Sequence, residues 1–208
     1  MPIVCLSWET AHLYGEAWVS HHRLRYRAFV ERQAWNIPSH NGLEYDQFDT
    51  PAAKYILWLD KNGQARGATR LIPTTRPYML QTVWPHLMIR RPPESDDIWE
   101  ASRFACDHDL DPQTHRMVVL DLICACQRFG LENGIGSYLS VMPLGVYRNV
   151  LEAAGCHVML LGPSQKMGRH RIAAASIAVS RSILAAIRAQ AALRHRPGEQ
   201  SGYDRLAA

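Results

Sequence analysis

Trp99-Glu100-Ala101-Ser102-Arg103-Phe104 sets a carboxylate and a guanidinium inside a stretch that otherwise reads as a strand: short, aromatic at both ends, free of Gly and Pro. A charge in a buried strand costs several kcal/mol unless it is paired or put to chemical use. Side chains alternate along a strand, so residues three apart face opposite sides unless a bulge intervenes. Glu100 and Arg103 therefore imply either a bulge or two separate functional surfaces. The other residues able to do chemistry are dispersed: Arg25, Phe29 and Trp35; Asp46 and Asp49; Arg70. Each also has a plain reading, as core aromatics, a solvated acidic loop and a strand-end surface residue.

The surrounding pattern gives these residues a frame. His12 to Arg32 reads as a helix, with Leu13, Ala17, Leu24 and Ala28 apolar and Arg23, Arg25 and Arg27 forming a basic face. His21-His22 reads as part of a solvated helix face, not a metal pair. A Gly/Pro/Asn-bearing loop runs from Asn36 to Pro51. Tyr55–Leu59 and Ala65–Ile72 flank the turn Asp60-Lys61-Asn62-Gly63 as a hairpin. Prolines 73, 77, 85, 92 and 93 keep the next segment irregular apart from a short helix near Met79–Trp84. Ile98–Cys106 is the unusual strand. Thr114–Asn133 is a helix, Ser137–Met142 a strand and Pro143–Ala154 a helix closed by Gly155. Strands at His157–Leu161 and Ile172–Val179 and a final helix, Ser180–Arg194, complete an α/β sandwich with a mixed sheet.

Composition narrows the class. At 208 residues, 47% hydrophobic and 20% charged, the chain is expected to form a single domain over residues 1–208. The net charge of +4 is slight, with basic residues gathered after Arg148 at Lys166, Arg169, Arg171, Arg181, Arg188, Arg194 and Arg196. That asymmetry fits an anionic partner or a solvated face. Five cysteines without CxxC or Cys/His ligand spacing favour neither a disulfide framework nor a zinc site, and no metal is expected. The N-terminus has no leader pattern and no apolar run reaches spanning length, so a soluble cytoplasmic protein without membrane insertion is the expectation. A Walker loop, a nucleophile elbow and HExxH are absent, and Gly134-Ile135-Gly136 follows a helix, the wrong order for a dinucleotide fingerprint.

Taken in order, the dispersed residues form a recognisable series. Arg25-Tyr26-Arg27-Ala28-Phe29 with Trp35 resembles the N-terminal signature of the acyl-homoserine-lactone synthases, the autoinducer synthases of bacterial quorum sensing. Glu44-Tyr45-Asp46-Gln47-Phe48-Asp49 is similar to their E-x-D-x-x-D loop, and Ala68-Thr69-Arg70-Leu71-Ile72-Pro73-Thr74-Thr75 with Pro77-Tyr78-Met79-Leu80 to their R-L-x-P-T-T-x-P-Y-M-L block. Glu100-Ala101-Ser102-Arg103-Phe104 matches E-x-S-R-F. The match spans Arg25 to Phe104 and weakens beyond it.

The resemblance implies an N-acetyltransferase-like three-layer sandwich, its twisted mixed sheet splayed in the middle and flanked by helices. It implies that the amine of S-adenosylmethionine (SAM) takes an acyl group from a thioester of acyl carrier protein or coenzyme A, and that the methionine carboxylate then closes the lactone and expels methylthioadenosine (MTA). SAM is a substrate, and no prosthetic group is implied. For that reaction Glu100 is the candidate base. Phe29 and Trp35, with Phe104, suit the sulfonium; Asp46 and Asp49 suit the ammonium or hold their loop closed. Arg25 and Arg103 suit the substrate carboxylate, and Arg70 suits an ion pair tying the acidic loop to the sheet. Ser102, Ser140, Val141 and Met142 are the candidate acyl pocket. The absence of Thr from Ser137–Leu144 leans towards an unsubstituted or bulky acyl group, and Arg148, Lys166, Arg169 and Arg171 suit either acidic donor.

Three rival readings are weaker. An N-acyltransferase of the same fold acting on another amine leaves the acidic loop and Trp35 without a cationic cofactor to serve. A catalytically silent acyl-carrier-binding protein leaves Glu100 and Arg103 unexplained. A nucleic-acid binder lacks a basic helix with interleaved aromatics, so no nucleic acid partner is expected.

Overall fold

The computed structural model describes residues 2–192. Strand β6 (Ile98–Cys106) runs through the middle of an eight-stranded sheet with β1 (Ile3–Leu6), β4 (Lys54–Leu59), β5 (Ala65–Pro73), β7 (Ser137–Pro143), β8 (Val158–Leu160), β9 (Gln165–Met167) and β10 (His170–Ala178). The order is β1-β4-β5-β6-β7-β10-β8, with β9 pairing β10 beside it. Every pairing is antiparallel except β6 with β7. A separate two-residue hairpin, β2 (Ser39–His40) with β3 (Leu43–Glu44), stands in the acidic loop.

Helix α1 (Gly15–Arg25) covers one face of the sheet and closes a core with Leu24, Phe48, Tyr55, Leu57, Ile72 and Tyr78. Beyond Arg25 the helix widens through Tyr26–Glu31, and Arg32 N–H reaches the Arg27 carbonyl five residues back at 3.0 Å. Such single wide turns gather at functional sites. Helix α3 (Pro112–Glu132) lies on the other face with α5 (Arg181–Ala192) and α4 (Leu144–Val146, widening through Tyr147–Glu152). Leu122, Ile123, Cys124, Tyr147, Leu151 and Ile187 form that second core. At Gly67 a Cβ would come within 2.8 Å of both Val118 and Leu122 side chains, so the glycine lets α3 lie flat on β5.

The two strands of the parallel pair separate. β6 and β7 align only at Ile98/Ser137, Trp99/Tyr138 and Glu100/Leu139. One step on, the Ser140 hydroxyl donates to the Ala101 carbonyl at 2.8 Å in place of a ladder bond. Past that point the strands diverge, which gives the splayed sheet its opening.

Several expectations are corrected. The first helix is preceded by a tight turn at Ala11–Tyr14, and Leu13, assigned to its apolar stripe, is 67% exposed. Most of the supposed solvated face is buried: His21, His22 and Arg25 are inside, Arg27 is turned onto Asp107 at 2.7 Å, and only Arg23 of these stays exposed. β1 pairs with β4, and β9 with β10, where no strand was expected. The end of the last helix at Arg194, with Arg196, lies outside the described residues.

Candidate active site

A bulge resolves the Glu100–Arg103 spacing. On β5, Ala68 faces Ala105 and Arg70 faces Ser102, so Thr69 alone opposes both Arg103 and Phe104. Arg103 carries the extra residue's backbone at φ +53°, the left-handed region that a side chain of its size rarely adopts. The extra residue restores Glu100 and Arg103 to one side of the sheet. Both side chains line a single cleft of about 730 Å³ that opens where β6 and β7 part.

Glu100 is 2% exposed at the fork. Helix α2 (Met79–Thr82) aims its first two backbone N–H groups at this carboxylate: Leu80 N–H donates to Oε1 at 2.6 Å and Met79 N–H to Oε2 at 3.1 Å. Burial raises the Glu100 pKa above the ordinary carboxylate value, and the two N–H bonds and Arg70 only partly oppose it. Each oxygen keeps a lone pair for a proton. A raised pKa in a cleft is what a general base requires.

Arg103 donates from Nε to Glu44 at 3.1 Å and from Nη2 to Asp46 at 2.7 Å, and stands over the Phe29 ring at 5.5 Å. Phe29 stacks on Trp35 with centroids 5.3 Å apart and planes 12° from parallel. The cleft wall so carries an aromatic pair beside a carboxylate, a surface suited to a desolvated cation. Of the candidate residues, Phe29, Trp35, Glu100, Ser102, Arg103, Phe104, Ser140, Val141 and Met142 all line the cleft.

Arg25, Asp46, Asp49 and Arg70 do not line it; they form the layer behind its wall. Arg25, 1% exposed, holds Glu44 through Nε and Asp49 through both terminal nitrogens at 2.8 Å. Arg70, 0% exposed, grips Asp46 and also reaches Asp49 at 3.0 Å. Arginines 25, 70 and 103 thus alternate with Glu44, Asp46 and Asp49 in a charge-balanced buried network. Tyr55 adds its hydroxyl to Asp49 at 2.8 Å. The network holds the Asp49 carboxyl far below the ordinary carboxylate range, its bonds to Arg25 outweighing burial. Glu44 is a centre of this network; its only signal in the sequence is its place at the head of Glu44-Tyr45-Asp46-Gln47-Phe48-Asp49.

Behind the network lie the two misread histidines. His22 donates from Nδ1 to the Glu44 carbonyl at 2.8 Å and stacks on Tyr45 at 4.0 Å, while neither nitrogen of His21 has a well-formed hydrogen bond among the described residues. Burial first, then neighbouring positive groups, lowers both pKa values, His22 to about 4. A histidine kept neutral in the fold but charged in the unfolded chain makes the unfolded state bind more protons. Stability therefore falls as pH drops from about 6.5 towards 4. A His21→Leu variant should flatten this decline, measured as Tm against pH; an unchanged slope would show that His21 takes no part in it.

The cleft draws its walls from both cores. Phe29, Trp35, Met79 and Val141 belong to the core beneath α1, whereas Phe104, Val119, Met142 and Leu144 belong to the core beneath α3. It passes through the sheet at the fork, and Glu100 sits where the two halves meet. Residues 12–187 match the autoinducer synthase family model. The chain belongs to the autoinducer synthase family. It is 35% identical over 146 residues to an acyl-homoserine-lactone synthase of Acinetobacter nosocomialis, covering 67% of this chain and 79% of that one. It is 33% identical over 175 residues to one of Ralstonia solanacearum, covering 78% and 82%. Among solved structures it is similar to the CoA-dependent acyl-homoserine lactone synthase BjaI with SAM and isopentyl-CoA, at 30% identity and a TM-score of 0.84 over 92% of this chain and 89% of that one. TofI in a ternary complex with an inhibitor and MTA gives 31% and 0.76 over 90% and 97%. A putative N-acetyltransferase from Lactobacillus plantarum, at 12% identity and 0.55, shares the fold alone. The family member described here is an acyltransferase, with an acyl thioester as donor and SAM as acceptor. No helix among its described residues is long and apolar enough to cross a membrane.

Proposed function

We infer that the chain makes N-acyl-L-homoserine lactone in the cytoplasm as a quorum-sensing signal, and that acyl-coenzyme A is its donor. The observation that carries the reading is Glu100 at the fork, with an aromatic, acid-backed wall on one side and an apolar tunnel on the other. The SAM sulfonium lies against Phe29 and Trp35, Arg103 beside them meets the SAM carboxylate, Phe104 faces the site from the α3 side of the fork, and the SAM amine points to Glu100. Asp46 and Asp49, tied by Arg25, Arg70 and Arg103, hold that wall in place as a charge-balanced lattice, and Glu100 is the carboxylate that faces the cationic substrate. The acyl chain enters between Ser102, Ser140, Val141 and Met142. Glu100 removes the ammonium proton, directly or through water. The freed amine attacks the thioester carbon, the C–S bond breaks, the nitrogen's second proton passes to the leaving thiolate to give the neutral amide, and Glu100 returns the first proton to solvent. The methionine carboxylate then displaces the sulfonium from its own γ-carbon, closing the lactone and releasing neutral MTA. Support for coenzyme A comes from two similar structures, BjaI and MesI, each described as CoA-dependent.

Purified protein given SAM and a panel of acyl-CoA and acyl carrier protein donors should release MTA and a lactone of the matching mass. Failure to release MTA with any donor would remove the reading.

A further inference from the structure

The outer end of the cleft carries cations that the reaction at Glu100 does not use. It opens at the carboxyl ends of the parallel strands, between Cys106 on β6 and Pro143 on β7, where α/β folds usually receive ligands. Arg32 borders it from the wide turn of α1, near enough to Cys106 and His115 to act on both electrostatically. Arg169, in the turn before β10, and Arg171, at its start, also border it, and Ile172 of that strand faces Pro143. Arg169 donates to Gln33 at 3.0 Å and to His170 at 3.1 Å. Arg171 is braced by three bonds to Ser164 between 2.9 and 3.2 Å. Among the described residues no carboxylate pairs with Arg32, Arg169 or Arg171, whereas Arg25, Arg27, Arg66, Arg70, Arg103 and Arg128 are so paired.

The other natural place for an anion near this opening is already taken. The first N–H groups of α3 are capped by the Asp111 carboxylate, which accepts from Gln113 and Thr114 at 3.0 and 3.1 Å. Asp107 and Asp109 stand in the same loop. An anionic head at the cleft mouth is thus turned from α3 towards the three arginines.

We propose that Arg32, Arg169 and Arg171 form a phosphate-binding subsite for the nucleotide end of the acyl-coenzyme A donor. The proposal rests on the reading of the cleft as the donor site. From Cys106 back to Glu100 is six strand steps, about 20 Å, so the donor must carry its thioester on a long arm inward from an anchored head. A pantetheine arm ending in phosphates has that form. Arginine forks suit phosphate oxygens geometrically as well as by charge. The three guanidiniums line one concave opening, which suits a compact polyphosphate better than the broad face of a carrier protein.

The test is calorimetric titration of the full chain with coenzyme A and with pantetheine, which lacks the phosphates, alongside KM for the two matching acyl thioesters. Coenzyme A should bind at least about tenfold more tightly than pantetheine, and added salt should erase the difference. In Arg32→Gln, and in Arg32→Gln/Arg169→Gln/Arg171→Gln, the ratio of the two affinities should fall towards one. Equal binding of both ligands by the unaltered chain would overturn the proposal, as would a ratio untouched in both variants. So would variants impaired only with acyl carrier protein, which would assign the arginines to that partner. Binding of coenzyme A without MTA release from any donor would instead condemn the functional reading and leave the subsite standing.

Discussion

Replacing Glu100 with Gln is expected to slow MTA release roughly 10²–10⁴-fold, the usual span for loss of a general base, with little change in the KM for SAM. The glutamine retains an oxygen to accept one of the two N–H groups of α2 but sets its amide against the other, so a moderate loss of stability accompanies the kinetic one. The pH profile separates the two effects. In the proposed base role Glu100 acts only when deprotonated, and burial raises its pKa. The rate should therefore fall on the acid side through a value above the ordinary glutamate pKa of about 4.3, and this limb should persist in Glu100→Asp and vanish in Glu100→Gln. A variant that kept both its rate and its acid limb would take the base role away from Glu100.

The largest effect on stability should come from Arg25→Ala. Removing one partner of a buried ionic network leaves three carboxylates facing two cations, with Glu44 and Asp49 each short of a bond, a loss of about 3–5 kcal/mol. Urea unfolding should show the midpoint fall with its slope kept. Arg25→Lys should recover only part, because an ammonium cannot span both Asp49 oxygens and Glu44 together. Acid reports the same bonds. Asp49 has its folded pKa depressed, so its contribution is present above the unfolded value of about 3.9 and is lost as pH falls below it. That loss should shrink in Arg25→Ala. By contrast Arg128→Ala, which breaks an exposed pair with Glu132 one helical turn away, should change stability by no more than about 0.5 kcal/mol. Equal effects from the two substitutions would mean that burial confers no special weight on the network.

Where a segment's own pattern decides its structure, the sequence could be read. β6 begins and ends at Ile98 and Cys106 as expected, because its alternation and flanking turns are local. The hairpin of β4 and β5 and helix α3 are legible for the same reason. The polar half of the site was visible as residue types, yet its pairing was not. Arg25 meets partners 19 and 24 residues away, and Arg103 meets Glu44 across 59. Nothing in Arg23-Leu24-Arg25 distinguishes the buried arginine from its exposed neighbour Arg23. His21 and His22 were misplaced for a related reason: their cover is Trp18, Tyr45 and Tyr55, which the fold brings together from three separate segments. β1 escaped because four apolar residues at an edge strand, Ile3–Leu6, make too short a run to declare a period. The bulge was foreseeable as an alternative, but only the register of Thr69 against Arg103 and Phe104 decides it.

The passage of the cleft from one core to the other bears on how such enzymes diversify. The wall proposed to receive the shared acceptor is built on the α1 side and locked by charges, whereas the far tunnel is bounded by Val119, Leu144, Val146 and Val150, apolar residues on α3 and α4. Substitutions there meet loosely specified aliphatic neighbours and leave the ionic lattice untouched. A lineage can therefore change the tail of its message while its homoserine head stays constant, so new dialects can arise without rebuilding the grammar they share.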